Sequence, residues 1–388
     1  MDFEISRAQQ ELVDAIAALC GRFDDRYWLT RDTEGGFPEE FYRAVADAGW
    51  LGIAMPEEYG GAGLGITEAA LMMQTIAESG GAMAAASAVH MNIFGLNPVV
   101  VFGTPEQKQR MLPPLIKGEA KACFAVTEPD AGLNTTMLTT KAVRDGNRYV
   151  ISGRKIWIST AQVADYMLIL ARTTPADAVR KPTEGLSLFY TKLDRSRIEV
   201  REIEKMGRKA VDSNQLFIDG LEVPEEDRIG EEGKGFHYIL HGLNPERVLV
   251  GAEAVGIGRA ALFRAARYAR ERVVFGRPIG QNQAIQHPLA NCWASLEAAR
   301  LMVYRACALY DGGRPCGPEA NAAKLLAAQA AVETCEIAQL THGGYGYAKE
   351  FHIERLLREA LLVRIAPITP HLILSNIAEK VLGLPKSY

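Results

Sequence analysis

The chain has 388 residues, a formal net charge of −4, 48% hydrophobic and 23% charged residues, which is enough chain for two or three cores and an ordinary globular composition. Its charges are interspersed with no basic excess, which argues against a nucleic-acid binder, and its six cysteines include no C-x-x-C pair, which argues against a zinc or dithiol redox centre. Scattered cysteines, an acidic and polar opening (MDFEISRAQQ) and no apolar run approaching a membrane span lead to the expectation of a cytoplasmic or already processed protein that binds neither membrane nor nucleic acid.

Ser6 and Gln9 have the form of a capping box, and Leu12, Ile16, Leu19 and Phe23 follow at helical spacing. FPEEFYRAVADAGWLGIAM predicts a second helix ending near Gly49, and Gly60 to Gly65 a loop that lacks the lysine of a nucleotide P-loop. The alanine- and methionine-rich run from Ile66 to Phe94 reads as helix with methionine as core filler. A further helix follows in TPEQKQRMLPPLIKGE, where Pro113-Pro114 is expected to break it. Residues 1–120 therefore read as an all-helical domain.

From 121 to 230 the residues alternate and the turns are short. Asp145-Gly146 between two alternating runs signals a hairpin, and DYMLILART, GLSLFYTKL, IEVREIE and NQLFIDGLEV read as strands of an antiparallel barrel or sandwich. Residues 231–388 return to helix. Val248, Val255, Leu262, Ala266 and Ala269 share a face, a second long helix stops at Gly343-Gly344, and the stretch after Pro288 with two segments around Pro367 and Pro370 completes a four-helix bundle. The fold class is α+β: helices, a small β domain, helices.

The candidate site centres on Cys123 to Ser159. The Thr127-Glu128-Pro129 corner, Trp157 and Ser159 together suit a flat ring with a polar edge: hydroxyls and backbone amides for the edge, an indole for the face. An ordinary turn and a core tryptophan read equally well from spacing alone. His90, His241, His287, His342 and His371 share no ligand spacing with acidic partners and read as surface or packing residues, and no metal is expected.

Over almost its whole length, through PEEYGGAGL, TEPDAG, KIWIS, RVVFGRPIGQNQAIQ and THGGYGY, the chain resembles the acyl-CoA dehydrogenases. The resemblance implies FAD as cofactor, an acyl-CoA as substrate, an electron-transfer flavoprotein as acceptor, and a homotetramer built as a dimer of dimers. It implies flavin contacts from Phe124, Val126, Thr127, Trp157 and Ser159. Arg272, Phe275, Asn282 and Gln283 would reach the pyrophosphate and adenine of a neighbouring subunit's FAD, and Gly343, Gly344 and Thr369 would complete the set. The chemistry is removal of an α-proton by a carboxylate and of a β-hydride by flavin N5, with the thioester oxygen held by a backbone amide and a ribityl hydroxyl. Many members carry the base in a Tyr-Glu-Gly-Thr run, where this chain has Ala366-Pro367-Ile368-Thr369, so Pro367 stands in the place of the glutamate. A second branch, resembling isovaleryl- and long-chain members, carries it before an arginine ahead of Arg-x-x-Phe-Gly, which here selects Glu246 in Asn244-Pro245-Glu246-Arg247.

The residues also allow a plainer reading, in which Asn244 caps a helix opened by Pro245 and Glu246 merely faces the helix dipole. Taken alone, Arg272 reads more readily as one of several surface arginines in ARYARER. Arg247 is expected either on the CoA portion or fixing the helix start, and Leu133, where a serine often follows Asp-Ala-Gly, is placed beside the substrate arm. Gln339 next to Leu340 is a displaced match to a family glutamine. Ala252 and Ala254 allow either room for an acyl chain or tight helix packing. Two alternatives to the dehydrogenase stay open: an oxygen-reacting relative on the same scaffold, and a non-catalytic CoA-ester or flavin binder.

Overall fold

The structure, a computed structural model, describes residues 4–387. Its N-terminal region is helical: α1 (Arg7–Cys20), α2 (Asp25–Glu34), α3 (Glu39–Asp47), α4 (Ile66–Ile76), α5 (Ala82–His90), α6 (Asn97–Phe102) and α7 (Pro105–Ile116). The Ser6–Gln9 capping box forms, with the Gln9 amide donating to Ser6 Oγ at 3.2 Å and the Ser6 amide to Gln9 Oε1 at 2.9 Å. It points Leu12, Ile16 and Cys20 into the core. α2 escapes the apolar pattern because only Trp28 in it is buried, and it is nucleated instead by Asp24, which accepts from the Tyr27 amide at 2.9 Å.

Pro113 and Pro114 do not break α7, contrary to expectation; they lie inside its last turns. The carbonyls left without a donor belong to Gln109 and Arg110, which are exposed, while Leu112, Leu115 and Ile116 are held in the core. Packing outweighs the local defect.

α4, α5 and α6 are joined by π-helical turns at Ala77–Gly81 and Met91–Gly95. Gly80 turns the first junction with φ +103, and α11 (Ile353–Ile365) pins it: Arg355 donates to the Gly80 carbonyl at 2.6 Å and Glu359 accepts from the Ala84 amide at 3.0 Å. Contrary to the reading of the sequence, the runs Ile66–Phe102 and Ile353–Lys380 are long and apolar enough to cross a membrane; the most apolar window of the first is 72% buried inside this fold and that of the second 17%.

The middle region holds β1 (Ala122–Ala125), β2 (Lys141–Asp145), β3 (Arg148–Ser159), β4 (Tyr166–Arg172), β5 (Leu186–Lys192), β6 (Ile198–Glu202), β7 (Ser213–Pro224) and β8 (Arg228–Ile229). They form one sheet in the order β6-β7-β3-β2-β4-β5-β8, with β1 beside β4. The predicted hairpin joins β2 to β3, with Gly146 at φ +61. Most pairs are antiparallel, but β1 runs parallel to β4, and β2 meets β4 in parallel where Lys141 pairs with Arg172. Alternation along β4 serves two cores: Met167, Ile169 and Ala171 face one, Leu168 and Leu170 the other, which α6, α7 and the start of α8 cover.

The C-terminal region consists of α8 (Gly235–Glu271), a ribbon of β9 (Val273–Val274) and β10 (Arg277–Pro278), α9 (Gln283–Asp311), α10 (Gly317–His342), α11 and α12 (Pro370–Lys380). α8 begins at Gly235, so Asn244 and Pro245 lie in its interior and do not start a helix. From Val248 to Ile257 every residue of α8 is buried, Ala252 and Ala254 fully so, which favours tight packing at those two positions. A Cβ on Gly256 would fall 2.4 Å from the Gln74 carbonyl oxygen, and one on Gly258 2.5 Å from Leu296. α9 starts before Pro288 and runs through it; Gly343, at φ +59, ends α10. The six cysteines are free and buried.

Candidate active site

β1 leads into the Thr127 corner, which lies against β3. The Ile156 amide donates to the Thr127 carbonyl at 2.9 Å. Beneath the corner is a buried pair that no local sequence signal marks: Lys155 Nζ donates to Glu128 Oε1 at 2.9 Å, to the Val126 carbonyl at 3.1 Å and to the Leu170 carbonyl at 2.7 Å. Glu128 also accepts from the Thr139 and Thr140 amides at 2.6 and 3.0 Å. Burial opposes the Glu128 charge, but the Lys155 ammonium and these amides outweigh it and bring the carboxyl down to about 2. Burial wins at Lys155, lowering the ammonium to about 8.

On β3 the register shifts between Lys155 and Ile158, and Trp157 in that bulge takes φ +62 and is 57% exposed. A positive φ in a tryptophan is a strained arrangement, and the bulge turns the indole out of the sheet. Ser159 follows, its Oγ accepting from Arg208 Nη2 at 2.9 Å; the same guanidinium reaches Ser213 at 2.9 Å and Ser87 of α5 at 3.1 Å. Arg208 thus ties β3 and β7 to the helices. Sequence reasoning misses it because nothing local marks an arginine bridging three serines far apart in the chain.

A chain of contacts runs from this corner to α8. Phe124 lies 5.8 Å from Phe94, and Phe94 4.6 Å from His90, between ring centroids; His90 Nδ1 is 2.5 Å from Glu253 Oε1 on α8. The packing role expected of His90 misses this partner, 163 residues away. Glu246, on the same helix, is half-buried with no hydrogen-bond or ion-pair partner for its carboxylate among the described residues. Burial raises it to about 7, against the pull of His90 and Arg247. Because α8 begins well before it, the helix-start explanation of this glutamate lapses. Arg247 donates to Asn244 Oδ1 at 2.9 Å, a contact within the helix. Leu133 is 50% exposed on the loop after the corner.

Arg272, Phe275, Asn282 and Gln283 gather elsewhere, at the far end of α8, about 39 Å along the helix from Glu246 at 1.5 Å per residue. Phe275 and Gly276 form a two-residue hairpin tip between β9 and β10, both at positive φ, which throws Phe275 out to 99% exposure. The Arg272 guanidinium carbon sits 5.4 Å over the Tyr345 ring. Asn282 accepts from Arg277 at 2.7 Å, and Gln283 opens α9 on the surface. A Cβ added to Gly343 or Gly344 would meet nothing within 4 Å, whereas Gln339 Oε1 beside them is buried without a partner and Leu340 is 75% exposed. Thr369 caps α12, accepting from the Leu372 amide at 3.4 Å. Near Pro367, buried Lys324 donates to the Arg364 and Ile368 carbonyls at 3.2 and 2.7 Å.

These features fit FAD. An indole turned out of a sheet beside hydroxyls and backbone amides suits the ring, open space over the Gly343-Gly344 backbone and an orphaned buried Gln339 oxygen suit a close polar ligand, and an exposed arginine suits a diphosphate. No metal-binding cluster occurs among the described residues.

Family models of acyl-CoA dehydrogenases match three consecutive stretches: the N-terminal domain over 6–119, the middle domain over 123–221 and the C-terminal domain over 233–382. The acyl-CoA dehydrogenase FadE12 of Mycobacterium tuberculosis is 36% identical, covering 99% of this chain and 98% of that protein. Benzylmalonyl-CoA dehydrogenase of Aromatoleum aromaticum is also 36% identical, over 98% of this chain and all of that one. The structure of butyryl-CoA dehydrogenase from Megasphaera elsdenii superimposes with a TM-score of 0.93 at 29% identity, covering 98% of this chain and 100% of that one. Three matched domains in order, and relatives over a third identical along almost the whole chain, lead to one conclusion: the chain belongs to the acyl-CoA dehydrogenase family of FAD-dependent oxidoreductases acting on a CH–CH bond.

Proposed function

We propose that the chain converts an acyl-CoA to the trans-2-enoyl-CoA with Glu246 as the base. The observation that carries this reading is the Glu246 carboxylate: half-buried, unpaired, and poised near 7 by burial. A base works best when its pKa lies near the operating pH, and a directly paired glutamate would sit far lower. Glu246 takes the α-proton, the C–H electron pair forms the new double bond, and the β-hydrogen leaves with its pair. FAD, when bound, supplies the acceptor for that hydride. Trp157 offers the ring a face, and Thr127 and Ser159 a polar edge. Pro367 has no acid to offer, which leaves the task to α8. Arg247 and Leu133 meet the CoA portion.

Each flavin site is completed by a second copy. Arg272, Phe275, Asn282 and Gln283 lie too far along α8 to reach the ring end of their own chain's site, and Phe275 protrudes as an unpartnered apolar tip. The assembly is a tetramer, and electrons pass to an electron-transfer flavoprotein, as the resemblance implies.

Glu246→Gln tests the base. The variant is expected to keep bound flavin and to lose about 10²- to 10⁴-fold in turnover, measured as anaerobic bleaching by a panel of straight, branched and aromatic acyl-CoAs. Because the proton acceptor is the carboxylate, wild-type rates should rise as pH passes through about 7, and the variant should lack that limb. Undiminished turnover in the variant places the base elsewhere.

A further inference from the structure

Glu246 does not stand alone on its face of α8. Glu253 follows seven residues later, two helical turns, so both side chains leave the helix on the same side. Glu253 is fully buried; its Oε1 lies 2.5 Å from His90 Nδ1, and its Oε2 has no hydrogen-bond partner among the described residues. A carboxylate oxygen only accepts, so Nδ1 carries the proton. His90 Nε2 has no protein partner among the described residues, and the ring rests against Phe94. The other charged groups acting on these side chains are Arg247 on α8 and Arg208, whose two terminal nitrogens are spent on Ser87, Ser159 and Ser213; behind Arg208 stand the carboxylates of Asp212 and of Glu359, which accepts from the Ala84 amide.

We propose that His90, held by Glu253, is the positive charge that keeps Glu246 able to accept a proton once an acyl-CoA has displaced water from the site. This rests on Glu246 being the base. The need for such a charge is physical: an apolar acyl chain packed against a carboxylate strips its hydration and drives it toward the protonated, inactive form. A cation in direct contact with Glu246 would remove its basicity. A cation that already has its own counterion lends only part of its field, enough to oppose desolvation without capturing the base. Glu253 is what keeps the imidazole charged in a buried place. Burial alone would discharge it, and the Glu253 carboxylate reverses that, leaving His90 raised above its ordinary value. Sharing one α8 face fixes the separation of the two glutamates, and the end of α5 supplies the imidazole held on the second of them. His90 is in this sense a positioning residue for the proton and makes no contact with the reacting carbons.

The test reads Glu246 directly. Its protonated carboxyl band, assigned by the infrared difference between wild type and Glu246→Gln, is titrated in the FAD-loaded protein, and the pH profile of kcat/KM is measured alongside. His90→Gln keeps a donor for Glu253 but no charge. It should raise the Glu246 pKa by about one unit or more, with turnover below that pKa falling about tenfold per unit and recovering at higher pH. Glu253→Gln combined with His90→Gln removes both charges and should bring the value back toward wild type. Loss of packing cannot give that partial rescue. An unchanged Glu246 value in His90→Gln, or a double variant displaced as far as the single one, overturns the proposal. Should His90→Gln not fold, the ¹⁵N ring shifts of histidine-labelled wild type decide: an imidazolium persisting above the pH at which exposed histidines have lost theirs supports it, and its absence overturns it. Turnover retained in Glu246→Gln would remove the base assignment, while the infrared titration would still report whether His90 governs the charge of Glu246.

Discussion

Replacing Lys155 with methionine should unlock the Thr127 corner while leaving the sheet in place. Methionine matches the lysine stem in length but lacks the ammonium, which makes hydrogen bonds of 2.9, 3.1 and 2.7 Å to Glu128, Val126 and Leu170. The pair itself adds little net stability. Lys155 is lowered to about 8 and Glu128 to about 2, so what the carboxylate gains the ammonium largely gives back, as expected for two charges taken out of water. Removing one partner is another matter, because Glu128 is then left buried with only the Thr139 and Thr140 contacts. Returning its carboxyl from about 2 to its ordinary 4.5 costs about 3 kcal/mol at pH 7. That corresponds to about two orders of magnitude in local opening. Hydrogen exchange over residues 122–141 measures it, with the Thr139 and Thr140 amides as reporters. The sign with pH is fixed: a depressed carboxyl contributes fully above about 4.5 and loses its contribution as pH falls toward 2. The gap between variant and wild type should therefore narrow across that window. Unchanged protection at pH 7, or a gap that widens in acid, refutes the reasoning.

Two further outcomes follow from the site. Arg272→Ala should lose FAD on gel filtration while the chain keeps its helical circular dichroism, because the residue is exposed in its own chain and, among the described residues, its side chain makes a ring contact alone, while its backbone hydrogen bonds survive the substitution. Arg208→Met removes three hydrogen bonds from a charged donor, each worth about 1.5–3 kcal/mol; the rate of flavin release should rise at least tenfold, measured by the return of free-flavin fluorescence.

The three-part architecture is legible in the residues because its signals are local: the Ser6 box, the Asp145-Gly146 turn and the short apolar run of β4 each act within a few positions. α2 is illegible for the same reason, since its single buried residue, Trp28, makes no stripe. α7 runs through two prolines because packing of Leu112 and Leu115 decides there, and packing is not local. The site divides likewise. Thr127, Trp157 and Glu246 are singled out as candidates by motifs, whereas Lys155 under Glu128, Arg208 across three serines and His90 on Glu253 depend on partners that only the fold brings together. Lys155 follows another basic residue, the exposed Arg154, so nothing in the sequence of β3 distinguishes the buried cation from the solvated one.

The unbroken span of α8 from Gly235 to Glu271 has a consequence at the level of inheritance. Under the proposed reading, one helix carries the proton acceptor in its first half and delivers a neighbour's diphosphate contact just past its end, so that each polypeptide serves two reaction centres. A chain lacking Glu246 and a chain lacking Arg272 are each dead when assembled with their own kind. Assembled with each other, they place both faults in one centre and leave the other whole. Two null alleles would then complement one another, and the activity of a mixed population would record how the subunits had been shuffled.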